Sequence, residues 1–112
     1  AKLIGCESAT LRKKRYSSRK VKVTLNKTID MGRSHVVIVD DIISTGHTIL
    51  ETIKLLKRLG AKAITCICVH GIFAEGALEK LQKAGARVVA CNTIPNPAAK
   101  IDVSPVIAGV LQ

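Results

Sequence analysis

The stretch VVIVDDIISTGHT, residues 36–48, decides how this chain is read. Val36, Val37, Ile38 and Val39 are β-branched and apolar, the composition of a buried strand. Two adjacent carboxylates, Asp40 and Asp41, follow at its end. Ser44, Thr45, Gly46, His47 and Thr48 then form a hydroxyl-rich turn that opens a helix, and Gly46 lets the backbone come close to a ligand. The first amides of a helix have no partner within it and carry partial positive charge, so such a turn can hold a phosphate. Carboxylates beside it can accept hydrogen bonds from vicinal hydroxyls, and this order of parts suits a phosphorylated sugar. It is not the nucleoside-triphosphate loop, because the lysine of G-x-x-x-x-G-K-[ST] is missing. Any α/β protein offers a capped helix after a strand. The acid pair tips the reading towards a ligand site, since neighbouring carboxylates repel unless a metal or a polyol satisfies them.

Outward from this stretch the pattern is regular. Residues 35–39 read as strand and 48–59 as helix. Ile49, Ile53 and Leu56 share one face of that helix, Gly60 stops it, and Lys57 and Arg58 suit the negative end of its dipole. Residues 62–69 read as strand, 74–84 as helix ended by Gly85, and 87–91 as strand. Ser104 caps a final helix with Pro105 in its first position. Upstream, residues 1–5 resemble the last turn of a helix with Gly5 behind it, 6–13 a short strand, and the basic stretch to Arg19 a loop. Residues 21–25 alternate like an exposed strand, and 26–34 make a turn containing Gly32. Strands apolar on both faces, alternating with helices, predict an α/β fold: a parallel sheet flanked by helices on both sides. Ligands bind such sheets beyond the carboxyl ends of the strands, where Asp40, Asp41, His70, Gly71, Asn92 and Thr93 all fall.

The 112 residues suffice for one small domain, and 47% of them are apolar while 2% are aromatic. The core is therefore expected from Ile, Val, Leu and Ala. No apolar run approaches the roughly 20 residues of a membrane span, and no signal-peptide pattern is present, so no membrane partner and a cytoplasmic location are expected. Net charge is +10 with a pI near 9.9. That raises a nucleic-acid partner, but Arg12, Lys13, Lys14, Arg15, Arg19, Lys20 and Lys22 cluster without an intervening acid. A small anionic substrate explains such a cluster as well, and interleaved aromatics for base stacking are lacking. Cys6, Cys66, Cys68 and Cys91 contain no C-x-x-C pair and read as reduced, mostly buried small residues.

With these residues in view, VVIVDDIISTGHT resembles the PRPP-binding motif of type I phosphoribosyltransferase-like proteins. Among them the chain is most similar to the carboxyl-terminal part of the ribose-phosphate pyrophosphokinase (PRPP synthetase) family. LRKKR at 11–15 resembles that family's catalytic flexible loop, CVHGIFAEGA at 67–76 its T-H-G-x-F segment, and CNTIP at 91–95 its D-T-I-P segment. The resemblance implies one partial domain over 1–112, truncated at the amino end, with a flexible basic catalytic hairpin at 11–25 and a core at 35–112. It implies that Asp40 and Asp41 bind ribose hydroxyls and that Ser44, Thr45, Gly46, His47 and Thr48 hold the 5-phosphate. Lys13 and Arg15 would stabilise the triphosphate as a diphosphoryl group moves from ATP to the sugar, giving PRPP and AMP. Mg2+ is the implied cofactor, with its main ligands outside this chain. Ribose 5-phosphate, PRPP and ATP are the implied small-molecule partners, without nucleic acid, and the missing amino-terminal part would leave this chain inactive alone.

An open sheet edge predicts a homo-oligomer or association with an amino-terminal partner subunit. Three positions depart from the family pattern. His47 stands where a small residue is usual, Ser44 replaces an acid, and Val69 replaces a threonine beside His70, which is read as structural. The alternatives are a non-catalytic PRPP- or ribose-phosphate-binding regulator and a nucleobase phosphoribosyltransferase.

Overall fold

A computed structural model describes residues 1–18, 20–32 and 34–112; Arg19 of the basic cluster lies outside the described residues. Nine regular elements follow one another: β1 (Leu11–Arg15), β2 (Val21–Leu25), β3 (His35–Ile43), α1 (His47–Arg58), β4 (Ala63–Gly71), α2 (Ala77–Lys83), β5 (Ala86–Cys91), β6 (Ala99–Ile101) and α3 (Ser104–Leu111). A 3-10 turn, Lys2–Ile4, precedes them, closed by Gly5 at φ 63° as the sequence predicts.

β3, β4, β5 and β6 form one parallel sheet in that order, and β1 and β2 form a separate antiparallel hairpin. Register explains the core. Ile38 pairs with Cys66 and Cys66 with Val88, which puts these three side chains in one buried row. Ile64, Cys68, Ala86 and Ala90 flank that row on the same face. Ile49, Ile53 and Leu56 of α1 and Leu81 of α2 close over it. The hydroxyl of buried Thr52 is satisfied by the Thr48 carbonyl at 2.8 Å. Cys66, Cys68 and Cys91 are buried free thiols, as expected of small apolar fillers, while Cys6 is exposed. Burial, with a smaller contribution from Cys68, pushes the Cys66 thiol up to about 12, so it stays protonated and inert.

The parallel sheet flanked by helices is the fold that the sequence predicts, with differences in extent. α1 and α2 share one face of the sheet, and α3 buries no residue. On the other face Val37 and Val39 stand 49% and 75% exposed, so among the described residues the second helical layer is not filled. β1 covers residues 11–15, later than the expected 6–13, and the basic residues lie in a strand rather than in a loop. The cause is pairing: every residue of LRKKR faces one of VKVTL, and the Tyr16 amide closes the turn on the Lys20 carbonyl at 2.9 Å. β3 runs on to Ile43 because Ile42 and Ile43 still pair with His70 and Gly71. The expected helix 74–84 is a 3-10 turn at Ala74–Gly76 followed by α2, divided by left-handed Phe73, Glu75 and Gly76. β6 had no sequence signal, since it is three residues long and follows Pro95 and Pro97.

Ile53 is fully buried between α1 and the sheet. Ile53→Ala should cost about 2–5 kcal/mol of stability through lost burial and a residual cavity, read from the midpoint of urea unfolding.

Candidate ligand site at the strand ends

β3 ends by turning directly into α1. The Ile43 carbonyl accepts the amides of Ile72 and Phe73 at 3.0 and 3.1 Å, which ties the end of β3 to the segment after β4. Gly71 is required for this closure, because a Cβ there would overlap the Phe73 ring. The chain then reverses through Ser44, Thr45 and Gly46. Gly46 sits at φ 74°, and a Cβ on it would touch the Ala77 Cβ at 3.4 Å. The first helical bond of α1 runs from the Leu50 amide to the Gly46 carbonyl at 2.8 Å.

The six amides of residues 44–49 therefore find no acceptor among the described residues. No side chain caps α1, and no acid lies in its first turn. A run of unpartnered N–H groups at the start of a helix is a cradle for an anion. Thr45, Gly46 and Thr48 are half-buried around it, while Ser44 and His47 are exposed. All five residues of the predicted phosphate turn are thus together at one place.

Asp40 and Asp41 stand at the entrance to that turn. One oxygen of each accepts a local amide: Asp40 Oδ1 from Asp41 at 2.9 Å, and Asp41 Oδ1 from Ile42 at 2.8 Å. The two carboxyls titrate as a pair. Partial burial, and then the hydrogen bond shared with Asp41, hold Asp40 above the ordinary carboxylate range. The same shared bond, and then the Ile42 amide, hold Asp41 below it. Each carboxyl keeps a second oxygen free of these local bonds, an acceptor that suits neighbouring hydroxyl groups.

The hairpin supplies the positive charge. Antiparallel register puts Leu11, Lys13 and Arg15 on the same face as Leu25, Val23 and Val21, with Arg12 and Lys14 on the opposite face. Val23 is buried and β2 packs on α1, so the Lys13 face looks towards the body of the protein. Lys13 comes within electrostatic range of Asp40 and pulls its pKa down against the larger effect of burial. Arg15 lies two residues further along and is exposed. Lys14 leans over the Tyr16 ring at 5.4 Å, a role that sequence reasoning missed.

Among the other residues at strand ends, Asn92 is structural. Its side chain donates to Asp102 at 2.9 Å and accepts the Val103 amide at 3.0 Å, fastening β5 to the start of α3. His70 has the hydroxyl neighbour that Val69 fails to provide. Its Nδ1 lies 2.7 Å from Thr93 Oγ1, a partner 23 residues away that no local motif reveals. Among the described residues no three His, Cys, Asp or Glu side chains gather as a metal cage.

The chain is thus an α/β protein whose parallel sheet carries an amide cradle, an acid pair and a cationic hairpin towards its carboxyl end. Residues 1–107 match the model of the phosphoribosyl transferase domain, and the chain belongs to that family. It is 42% identical over 111 residues to the ribose-phosphate pyrophosphokinase of Pyrococcus furiosus, covering 99% of this chain and 39% of that protein. It is 43% identical over 109 residues to ribose-phosphate pyrophosphokinase 2 of Archaeoglobus fulgidus, covering 96% of this chain and 40% of that protein. The crystal structure of phosphoribosylpyrophosphate synthetase from Mycobacterium smegmatis superposes with a TM-score of 0.70 at 27% identity, over 92% of this chain and 35% of that one. The chain thus spans about two-fifths of the length of the relatives it matches.

Opposite pKa displacements give opposite pH dependences. The native state holds the Asp40 proton more tightly than the unfolded chain does, so Asp40 lowers stability as pH rises from the ordinary carboxylate range through its folded value. Asp41 contributes stability above the ordinary range and loses it as pH falls through its own folded value. Asp40→Asn removes the first effect. Its melting temperature should exceed that of the parent at about pH 7, and the gap should shrink as pH falls into the ordinary carboxylate range.

Proposed function

We propose that this chain is the ribose-5-phosphate-binding part of a ribose-phosphate diphosphokinase. The observation that carries the reading is the row of six unpartnered amides at 44–49 beside Asp40 and Asp41. Ser44, Thr45, Gly46, His47 and Thr48 hold the 5-phosphate through those amides. Asp40 and Asp41 take the ribose hydroxyls. The anomeric hydroxyl oxygen attacks the β-phosphorus of ATP and the α,β-bridging bond breaks. AMP leaves, the diphosphoryl group stays on the sugar as PRPP, and the hydroxyl proton is released to solvent. Such a transfer needs positioning and charge neutralisation more than covalent chemistry. Lys13 and Arg15, on the inward face of the hairpin, supply the charge.

Mg2+ takes one or two carboxylates, keeps waters and shares substrate phosphates. Its main ligands are placed on the substrate phosphates and in the portion of the relatives' length that this chain does not span. The approach of Lys13 to Asp40 favours an enzyme over a passive regulator, which has no need of a cation there. The cytoplasm is the compartment this chemistry implies, in keeping with four free thiols.

Calorimetry with ribose 5-phosphate tests the reading. The chain should bind it, Gly46→Ala should weaken binding at least about tenfold because a left-handed alanine is strained by about 1–2 kcal/mol and deforms the turn, and Lys13→Ala should leave binding nearly intact. No heat at millimolar ligand, or equal binding by Gly46→Ala, would contradict it.

We further infer that Val37 and Val39, exposed beside the unpaired edge of β3, are covered by a second copy or by an amino-terminal partner subunit. Sedimentation should show an assembly at micromolar concentration that Val39→Lys dissociates; a monomer in both cases would refute this.

A further inference from the structure

At the carboxyl end of β4 the hydrogen bonds fix where one imidazole carries its proton. His70 Nδ1 lies 2.7 Å from Thr93 Oγ1, and that hydroxyl lies 2.9 Å from the Val69 carbonyl oxygen. A carbonyl only accepts, so the single Thr93 proton goes to Val69. The Thr93 oxygen then accepts from His70, whose proton must sit on Nδ1. In the neutral ring Nε2 is left as a bare lone pair, and it has no hydrogen-bond partner among the described residues. The ring is half-buried, belongs to the residue paired with Ile42 of β3, and lies within electrostatic range of Asp41. This acceptor stands at the carboxyl end of β4, the same end of the sheet that carries the acid pair on β3.

We propose that His70 is a specificity-determining residue whose Nε2 accepts a hydrogen bond from a sugar hydroxyl of the bound ligand. Thr93 is the positioning residue that sets its tautomer. The amide cradle recognises phosphate alone, whereas His70 together with Asp41 distinguishes a polyhydroxylated phosphate from a bare one. This deepens the ribose-phosphate reading and rests on it.

Asparagine separates the two roles of the ring. Its side-chain amide can stand where Nδ1–H stands and keep the bond to Thr93, but it places nothing at Nε2. His70→Asn should melt with the parent and bind inorganic phosphate with unchanged affinity. It should bind ribose 5-phosphate about three- to tenfold more weakly, the loss expected for one hydrogen bond. In the unaltered chain, imidazole 15N spectra should show the neutral ring protonated at Nδ1. The Nε2 resonance should move with ribose 5-phosphate and stay still with inorganic phosphate, and Thr93→Val should abolish the tautomer preference. A neutral ring protonated at Nε2, an Nε2 resonance indifferent to ribose 5-phosphate, or parental ribose 5-phosphate binding by His70→Asn would overturn the proposal while leaving the cradle reading intact. Failure of the parent to bind either ligand would remove both. If His70→Asn does not fold, the spectra of the unaltered chain decide.

Discussion

The reversal from β3 into α1 is the constraint on which the rest of the site depends. A strand satisfies its amides through its neighbours and a helix through its own carbonyls, but a direct passage from one to the other leaves a gap between the two systems. Here the gap is the six amides of residues 44–49. It is held open from below, because the Ile43 carbonyl is engaged by Ile72 and Phe73 and cannot turn to serve the loop. It is held in shape by Gly46, whose left-handed backbone brings the turn against Ala77 and Leu81 of α2. The packed core thus fixes a row of donors that the protein itself leaves unsatisfied.

Charge is arranged around that row in a graded way. The turn at 44–48 contains no acid, and Asp40 and Asp41 beside it share hydrogen bonding so that one resists ionisation while the other ionises readily. That asymmetry lowers the repulsion that two full charges at one strand end would create. The hairpin adds cations from outside through Lys13, carried on a strand whose hydrophobic partner Val23 anchors it to α1. The ion pairs among the described residues, Lys27–Glu7 and Lys54–Glu51, involve none of Arg12, Lys13, Lys14 and Arg15 of β1.

Much of this was legible in the sequence, and the reasons are local. VVIV, the S-T-G turn and the Ile49, Ile53, Leu56 stripe each carry their own period, and the parallel sheet follows from their order. The row of free amides at the start of α1 was legible because donors from consecutive residues need no distant partner. What escaped depends on long-range pairing. The strand expected at 6–13 stops short of Lys14 and Arg15, whose charge reads as loop; pairing with VKVTL carries it on to Arg15. The extension of β3 to Ile43 needs His70 and Gly71 of β4. The bond between His70 and Thr93 joins two strand ends that only the fold brings together. Strands apolar on both faces were read as a sheet covered on both sides, whereas α1 and α2 lie on the same side and leave Val37 and Val39 exposed.

A crystal structure of the chain soaked with ribose 5-phosphate bears most directly on the central claim. The account requires the phosphate oxygens about 2.7–3.2 Å from amides within residues 44–49, with ribose hydroxyls on Asp40 and Asp41. A phosphate seated on the cations of the β1–β2 hairpin, with the turn amides bonded internally, would contradict it.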